Sequence, residues 1–373
     1  MTAQTIRQDI ADTRAALVRA RTLPPRYYTD STLFAQELEK VIFGQWYPLA
    51  HVSQIPAGGY YARRVVSEPV IVTKSADGEI NVLLNVCRHR AATLLDGCGK
   101  LPGARIVCPY HGWTYRSDGS LLKAAYMQGV DALPHLENSL KKLHFEIWHG
   151  FIFVNISGNA PALRPQLRSL EELASPYCFE EMKCLDFQNF DCDWNWKTSL
   201  DNFSEAMHQP LVHPEANPLV PSVNAQYFET DGPYSYFFLP TRNGEVSPGS
   251  MPTIAGLGDA AQRRLVVLNI YPTFHLLIDR NSMFWLDFDI RSVEHHQMNW
   301  RFLAPATTFK RPTFAAELDE LRPLMLEIMN QDVRICRKVR DGIHSRLAEP
   351  GRLSLMERVM HQFHNFILDS LGH

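Results

Sequence analysis

Two short motifs in the chain each combine one cysteine with one histidine. They are Cys87-Arg-His89 and Cys108-Pro-Tyr-His111, with 18 residues between them. Two thiolates and two imidazoles can hold a tetrahedral zinc ion, or a two-iron, two-sulfide cluster whose thiolates bind one iron and whose imidazoles bind the other. Zinc sites commonly take both cysteines from one loop and both histidines from another. Here each loop supplies one of each, which favours the iron cluster and leaves zinc as the alternative.

The residues around these motifs are consistent with a cluster. Gly97, Pro109 and Gly112 suit tight turns that present backbone N–H groups to sulfur. Cys98 lies between the motifs but has no histidine at matching spacing, so we predict no ligand role for it. The chain has seven cysteines, and this odd count argues against a disulfide framework.

A second group of metal-ligand types lies further along the chain. Glu205 and His208 are spaced i, i+3 and would share one face of a helix, whereas His213 follows five residues later. Pro210 is expected to end or kink that helix, so that the next turn brings His213 back toward His208. Two histidines and one carboxylate form the facial triad of mononuclear iron(II) oxygenases.

The carboxylate of this triad has two candidates. Glu205 is close in sequence, but helical periodicity near the C-terminus points to Asp332, which lies in the middle of an otherwise apolar stripe. An unpaired carboxylate is costly to bury unless a metal, a cation or a proton satisfies it. We therefore expect Asp332 to bind the metal; the alternative is that it is solvated or pairs with Arg334 or Arg337. The stripe consists of Met325, Met329, Asp332, Cys336, Val339 and Ile343.

Sequence patterns divide the chain into three regions. Residues 1–45 are predicted to be a helical lead-in that packs on the catalytic domain. Residues 46–155 contain alternating runs such as YYARRVV and PVIVTK between Gly and Asp turns, typical of a small β-domain. Residues 156–373 combine antiparallel strands with helices over the last 60 residues, which indicates an α+β domain. Because this region contains His208, His213 and Asp332, we expect it to be the catalytic domain.

Composition and charge exclude some functions. With 37 basic and 40 acidic residues among 373, the net charge is -3, so neither nucleic acid nor an anionic membrane is an expected partner. Every apolar stretch is shorter than a membrane span. The N-terminus lacks the apolar core of a secretory signal, and the expected location is cytoplasmic.

The motifs resemble those of a known family over nearly the whole chain. CPYHGWTY at 108–115 resembles a Rieske domain, and NWKTSLDNFSEAMH together with QDVRIC at 331–336 resembles the catalytic motifs of Rieske non-haem iron oxygenase α-subunits. This resemblance implies a Rieske β-sandwich and an antiparallel-sheet catalytic domain flanked by helices. It implies that a [2Fe–2S] cluster is held by Cys87, His89, Cys108 and His111, and mononuclear Fe(II) by His208, His213 and Asp332.

The resemblance also implies roles for two neighbouring residues. Asn202 would lie beside the iron, and Glu205 would bridge His208 to His111 of the partner subunit in a homotrimer. The family commonly has Asp at the bridging position and Tyr before the first histidine, where this chain has Glu205 and Met207. The glutamate keeps the acid, while the missing tyrosine removes a polar group.

The implied reaction needs O2 and two electrons. The electrons come from NAD(P)H through a separate reductase, with or without a ferredoxin, since the chain shows no nucleotide-binding fingerprint. One or two oxygen atoms then enter a small organic substrate. The non-enzymatic alternative is an electron carrier whose second domain is degenerate.

The substrate can be narrowed by resemblance only. Glu205 and the tail GRLSLMERVMHQFHNFIL resemble the branch that acts on quaternary ammonium compounds such as glycine betaine, carnitine and stachydrine, by N-demethylation or C–N cleavage. Aromatic residues at 227, 228, 234, 236–238, 271, 274, 284 and 285 could form a cation–π cage, or be ordinary strand core. The alternative is hydroxylation of an aromatic acid, for which candidate anchors are Arg242, Arg263, Arg264, Arg280 and Arg291.

Overall fold

The computed structural model describes residues 10–131, 137–246 and 249–373. The first nine residues of the predicted lead-in, His135 and residues 247–248 lie outside the described part. The chain separates into two compact units. The smaller unit is Tyr47–Pro161, and the larger combines Met1–Trp46 with Ala162–His373.

The smaller unit consists of antiparallel sheets. Their strand orders are β4-β3-β2-β5, β6-β7-β8 and β1-β10-β9. The two Cys/His motifs occupy the loop after β4 and the loop between β6 and β7, and Gly112 in the second loop has a positive φ of 70° that favours glycine. The strands are β1 (Tyr47–His51), β2 (Gly59–Val65), β3 (Glu68–Lys74), β4 (Ile80–Leu84), β5 (Cys98–Lys100), β6 (Arg105–Val107), β7 (Thr114–Arg116), β8 (Leu121–Lys123), β9 (His144–Trp148) and β10 (Phe151–Asn155).

The larger unit is built on one antiparallel sheet of seven strands. Its order is β11-β17-β16-β15-β14-β13-β12, so that, apart from the first strand, neighbours in the sheet are also neighbours in sequence. The strands are β11 (Met182–Cys192), β12 (Gln226–Tyr227), β13 (Tyr234–Pro240), β14 (Arg264–Ile270), β15 (Phe274–Ile278), β16 (Met283–Ser292) and β17 (His295–Pro305).

Among the helices of the larger unit, one contains Asp332, and a short one has His208 and His213 at its two ends. Asp30 caps the second helix along the chain, accepting from the backbone N–H groups of Thr32 and Leu33. This helix continues as a π-helix over Leu38–Ile42. The helices are α1 (Arg26–Thr29), α2 (Ser31–Glu37), α3 (Leu163–Gln166), α4 (Glu171–Ala174), α5 (Trp196–Phe203), α6 (Gln209–Val212), α7 (Asp259–Gln262), α8 (Phe314–Ile343) and α9 (Arg358–Leu371).

Two local predictions are wrong. Residues 11–20 form turns rather than a helix. Glu205 and His208 do not share a helix: they lie in the turn between α5 and α6, and Pro210 stands in the first turn of α6, where its missing N–H costs nothing.

The lead-in is fastened to the rest of the larger unit by a buried ion pair. Lys197 Nζ in α5 lies 2.7 Å from a carboxylate oxygen of Glu37 in α2, and both side chains are almost fully buried. In the part of the chain that the structure describes, none of the helices combines the length and hydropathy that crossing a bilayer requires.

Candidate metal centres and substrate cavity

Helix α8 presents one buried carboxylate among apolar side chains. Met329, Asp332 and Cys336 are buried, as the stripe predicts, whereas Met325 and Ile343 are half-buried and Val339 is 44% exposed. The two arginines that could have neutralised Asp332 have other partners. Arg334 pairs with Glu327, and Arg337 pairs with Asp193.

Asp332 lies next to both predicted histidine ligands. Its Oδ1 is 2.9 Å from Nε2 of His213 and 3.7 Å from Nε2 of His208. One donor atom from each of the three residues lies within 4.8 Å of the others. Two imidazole nitrogens and a carboxylate oxygen converging on one point form a donor set that fits Fe(II). The short helix α6 accounts for this convergence, since it separates His208 from His213 by a single turn.

The second ring nitrogen of His213 is held by Gln331. His213 Nδ1 donates to Gln331 Oε1 at 2.6 Å, and Gln331 Nε2 donates to Glu215 at 2.6 Å. A hydrogen bond to Nδ1 fixes the tautomer that leaves Nε2 free for a metal. Burial on its own would lower the pKa of His213, but the hydrogen bond and charge of Asp332 outweigh it and raise that pKa.

Glu205 performs the corresponding task for His208. His208 Nδ1 donates to Glu205 Oε1 at 2.5 Å. The other oxygen of this carboxylate accepts from the backbone N–H groups of Met207 and His208, so the side chain has one orientation. The Met207 side chain, which replaces the family's tyrosine, is 44% exposed.

Asn202 contacts the site through the carboxylate. Its Nδ2 donates to Asp332 Oδ1 at 2.9 Å, from a position near the end of α5. The preceding residue, Asp201, accepts from Tyr28 Oη at 2.6 Å and from His364 Nε2 at 2.9 Å. This network borders a groove of about 460 Å³ in the larger unit, which Glu205 and His208 also line.

The ligands of the predicted cluster also approach one another in pairs. Nδ1 of His89 and Nδ1 of His111 are 3.1 Å apart at the surface of the smaller unit, while Cys87 and Cys108 are buried. Desolvation together with the nearby His89 and Arg90 lowers the pKa of His111, which favours the neutral imidazole that a metal requires.

Other contacts distinguish ligands from the decoy cysteine. The hydroxyl of Tyr115 lies 3.3 Å from Sγ of Cys87 and accepts from the backbone N–H of Arg88. Cys98 is exposed in β5. Two imidazoles on one side and two buried thiols on the other fit the ligand arrangement of a [2Fe–2S] cluster with mixed ligation.

A cavity of about 330 Å³ opens beside His208, His213 and Asp332. This volume is at the lower end of the range for small-molecule sites. The lining is mainly apolar, and its charged side chains are all acidic. Among the described residues that line it there is neither a lysine nor an arginine. The acidic lining residues are Glu205, Glu215, Asp279 and Asp332, and the aromatic ones besides the histidines are Phe203, Phe237 and Trp300.

The five arginines proposed as carboxylate anchors do not line this cavity. Arg263 pairs with Asp259, and Arg291 pairs with Asp191. The guanidinium of Arg264 lies over the ring of Phe238. Arg280 donates to Thr253 Oγ1 and to the carbonyl of Gly249, and Arg242 is also absent from the lining.

The proposed aromatic cage is likewise absent, apart from one residue. Of the aromatic positions considered, only Phe237 lines the cavity. Phe228 instead stacks on Tyr236, and Phe284 packs on Trp300, as ordinary strand residues do. Phe203 and Trp300 were not among the predicted positions, because neither has a distinctive spacing in the sequence.

His275 is a cavity residue that the sequence did not reveal. It lies in β15, is 4% exposed and has no metal-ligand residue at a matching spacing, which is why no motif singled it out. Its Nδ1 lies 2.6 Å from Asn269 Oδ1, and its ring packs on Phe203 with 5.1 Å between centroids. Gln331 was missed for a different reason: it stands in the QDVRIC motif, but nothing in the motif shows that it reaches His213.

Comparisons with known proteins agree with this geometry. Residues 179–373 match the family model of the ring-hydroxylating α-subunit catalytic domain, and residues 45–134 match that of the Rieske [2Fe–2S] domain. Choline monooxygenase of Arabidopsis thaliana is 27% identical over 95% of this chain and 83% of its own length.

Two bacterial relatives match over part of their length. The carnitine monooxygenase oxygenase subunit of Acinetobacter baumannii is 32% identical over 52% of this chain and 53% of its own. The glycine betaine monooxygenase oxygenase subunit of Pseudomonas aeruginosa is 33% identical over 54% of this chain and 48% of its own length. The chain therefore spans about half the length of these two relatives in the matched regions.

Solved structures share the fold. The quaternary ammonium Rieske monooxygenase CntA superposes with a TM-score of 0.82 at 22% identity, over 97% of this chain and 98% of that one. Naphthalene 1,2-dioxygenase from Rhodococcus superposes with a TM-score of 0.83 at 18% identity, over 99% of this chain and 98% of that one. The fold class predicted from the sequence is thereby confirmed. With both family models matched, the chain belongs to the family of ring-hydroxylating oxygenase α-subunits and is a Rieske non-haem iron oxygenase.

Proposed function

We propose that this oxygenase hydroxylates an N-methyl group or an adjacent carbon of a quaternary ammonium compound. The observation that carries the proposal is the cavity beside the metal ligands, where acidic and aromatic side chains occur without a lysine or arginine among the described lining residues. Carboxylates and aromatic faces attract a methylated ammonium, whereas an aromatic acid would need a cationic anchor. Relatives named for choline, carnitine and glycine betaine support the same class.

The proposed reaction consumes one O2 and one NAD(P)H for each substrate. One oxygen atom enters a C–H bond, the other leaves as water, and NAD(P)H supplies the two electrons through a separate reductase, with or without a ferredoxin. Hydroxylation of an N-methyl group gives a hydroxymethylammonium, which releases formaldehyde and leaves a tertiary amine. Hydroxylation at another carbon bound to nitrogen leads to C–N cleavage instead.

The residues of the chain divide this work. Fe(II) would be held by His208, His213 and Asp332, and the cluster by Cys87, His89, Cys108 and His111. When bound, the iron activates O2, and the cluster supplies the iron with electrons one at a time. Glu205 fixes the His208 ring and, in the proposed trimer, accepts from His111 of the partner subunit. Its position in an open groove of the larger unit supports that contact. Asn202 orients Asp332 through its hydrogen bond.

Substrate-dependent O2 uptake tests this proposal. The enzyme is reconstituted anaerobically with iron and sulfide, supplied with NADH and a surrogate reductase, and given quaternary amines and aromatic acids in parallel. We expect uptake coupled to formaldehyde or an aldehyde product with a quaternary amine, and none in His213→Ala. Uptake coupled only to an aromatic acid, with a hydroxylated ring as product, would overturn the proposal.

Metal analysis separates the oxygenase from a simple electron carrier. We expect iron beyond the two atoms of the cluster in the wild-type protein, and loss of that extra iron in His213→Ala with the cluster retained. Iron confined to the cluster in the wild type would favour the carrier. The trimeric assembly and the cytoplasmic location remain predictions from the sequence.

A further inference from the structure

We propose that the substrate is a quaternary ammonium alcohol without a carboxylate, and that His275 selects it. The hydroxyl group of the substrate donates to His275 Nε2. This inference rests on the proposed function and narrows it to one substrate class. It depends on three features of the cavity: a neutral acceptor in its wall, a lining whose described residues include no cationic anchor, and acidic and aromatic groups for the ammonium.

The tautomer of His275 follows from its neighbours. Asn269 Nδ2 donates to Ser235 Oγ at 3.3 Å, so Asn269 turns its carbonyl oxygen toward the imidazole. His275 Nδ1 must then carry the proton that it shares with this oxygen at 2.6 Å. The remaining nitrogen, Nε2, has a lone pair and is an acceptor.

This acceptor belongs to a residue of the cavity wall. Within the described residues no hydrogen bond to Nε2 is present, and the residue lines the cavity despite being 96% buried. Burial lowers the pKa of His275 to about 3, so the ring stays neutral at physiological pH. A neutral acceptor in an apolar wall binds a hydroxyl and offers nothing to a carboxylate, which has no proton to donate.

The rest of the cavity suits a cation without a carboxylate. Phe203, Phe237 and Trp300 provide apolar and aromatic surface, and Glu215 and Asp279 contribute negative charge to the lining. The described lining residues include no lysine or arginine that could neutralise a carboxylate. A zwitterion such as a betaine would have to desolvate its carboxylate among these acidic groups, which is unfavourable.

Ligand binding to the iron-loaded enzyme under anaerobic conditions tests this inference without turnover. Isothermal titration calorimetry compares choline with its O-methyl ether, which keeps the ammonium but cannot donate, and with glycine betaine. We expect choline to bind roughly five- to tenfold more tightly than the ether, as one buried hydrogen bond predicts, and betaine to bind more weakly than both. Equal binding of choline and ether, or tighter binding of betaine, would overturn the inference.

A variant of His275 provides the matched comparison. His275→Phe keeps a flat ring against Phe203 but removes the acceptor, so it should bind the ether as well as the wild type does while losing the preference for choline. An unchanged preference in this variant would exclude His275 as the acceptor. If the variant does not fold, the comparison of ligands on the wild-type enzyme still decides. Failure of every quaternary amine to bind would instead contradict the proposed function itself.

Discussion

Gln331 accepts a hydrogen bond of 2.6 Å from Nδ1 of His213, and the next residue, Asp332, lies 2.9 Å from Nε2 of the same ring. Two consecutive residues of α8 thus contact both nitrogens of one imidazole. The ring can neither flip nor change tautomer without losing one of these contacts. The position of α8 and the position of the short helix α6 are therefore linked through His213.

Removal of the Gln331 side chain should weaken iron binding. In Gln331→Ala the Nδ1 proton of His213 loses its acceptor, and the tautomer that presents Nε2 is no longer favoured. Loss of such a supporting contact typically costs 10- to 100-fold in metal affinity. Competition with a chelator, followed by analysis of the iron outside the cluster, measures this affinity.

Two variants provide controls for Gln331. The double variant Gln331→Glu/Glu215→Gln keeps an acceptor for His213 and a hydrogen bond between positions 331 and 215, so it should retain most of the iron affinity. Asn330→Ala removes an exposed neighbouring side chain and should have no effect. Equal iron affinity in Gln331→Ala and Asn330→Ala would mean that Gln331 does not position His213.

The Glu205 carboxylate should matter for electron transfer more than for metal binding. In Glu205→Gln the amide can still orient His208, so both metal centres should be retained. The negative charge that would accept from both imidazoles is gone, and we expect single-turnover product formation from the reduced enzyme to slow by roughly 10- to 100-fold. Glu349→Gln, an exposed acid in the same groove, is the control. A wild-type rate in Glu205→Gln would exclude the bridging role.

The sequence predicted the larger features because they depend on periodicity and on ligand chemistry. Met329, Asp332 and Cys336 are buried on one face of α8, since a spacing of three and four residues leaves a helix no other arrangement. The strands β2 and β3 appear where the alternating runs YYARRVV and PVIVTK predict them. Local patterns of this kind carry their own structural information.

The cavity wall could not be predicted in the same way. Phe203, His275 and Trp300 meet there because a helix and two separate strands converge, and no spacing within any one segment records that convergence. The arginines failed as anchors for a related reason: Arg263 and Arg264 find partners that tertiary structure alone supplies. The turn at Glu205 was misassigned because proline is compatible both with ending a helix and with beginning one.

Buried His275 should make the free energy of unfolding depend on pH below neutrality. Burial lowers the pKa of His275 from 6.5 to about 3. Between these two pH values the unfolded chain binds a proton at this residue and the folded chain does not. The stability is fully present above pH 6.5 and is lost as the pH falls toward 3, by up to about 1.4 kcal/mol per pH unit. Urea unfolding at pH 7 and pH 5 should show a smaller loss for His275→Phe than for the wild type; equal losses would contradict this prediction.

Removal of only one partner of the Glu37–Lys197 ion pair should strongly lower the free energy of unfolding. Both side chains are buried at a separation of 2.7 Å, so Glu37→Gln leaves an uncompensated ammonium and should lower the free energy of unfolding by about 3–5 kcal/mol. The double variant Glu37→Gln/Lys197→Met removes that charge and should recover much of the loss. Glu327→Gln breaks the exposed pair with Arg334 and should cost at most about 1 kcal/mol. If Glu37→Gln costs no more than Glu327→Gln in denaturant unfolding, the buried pair does not fasten the lead-in.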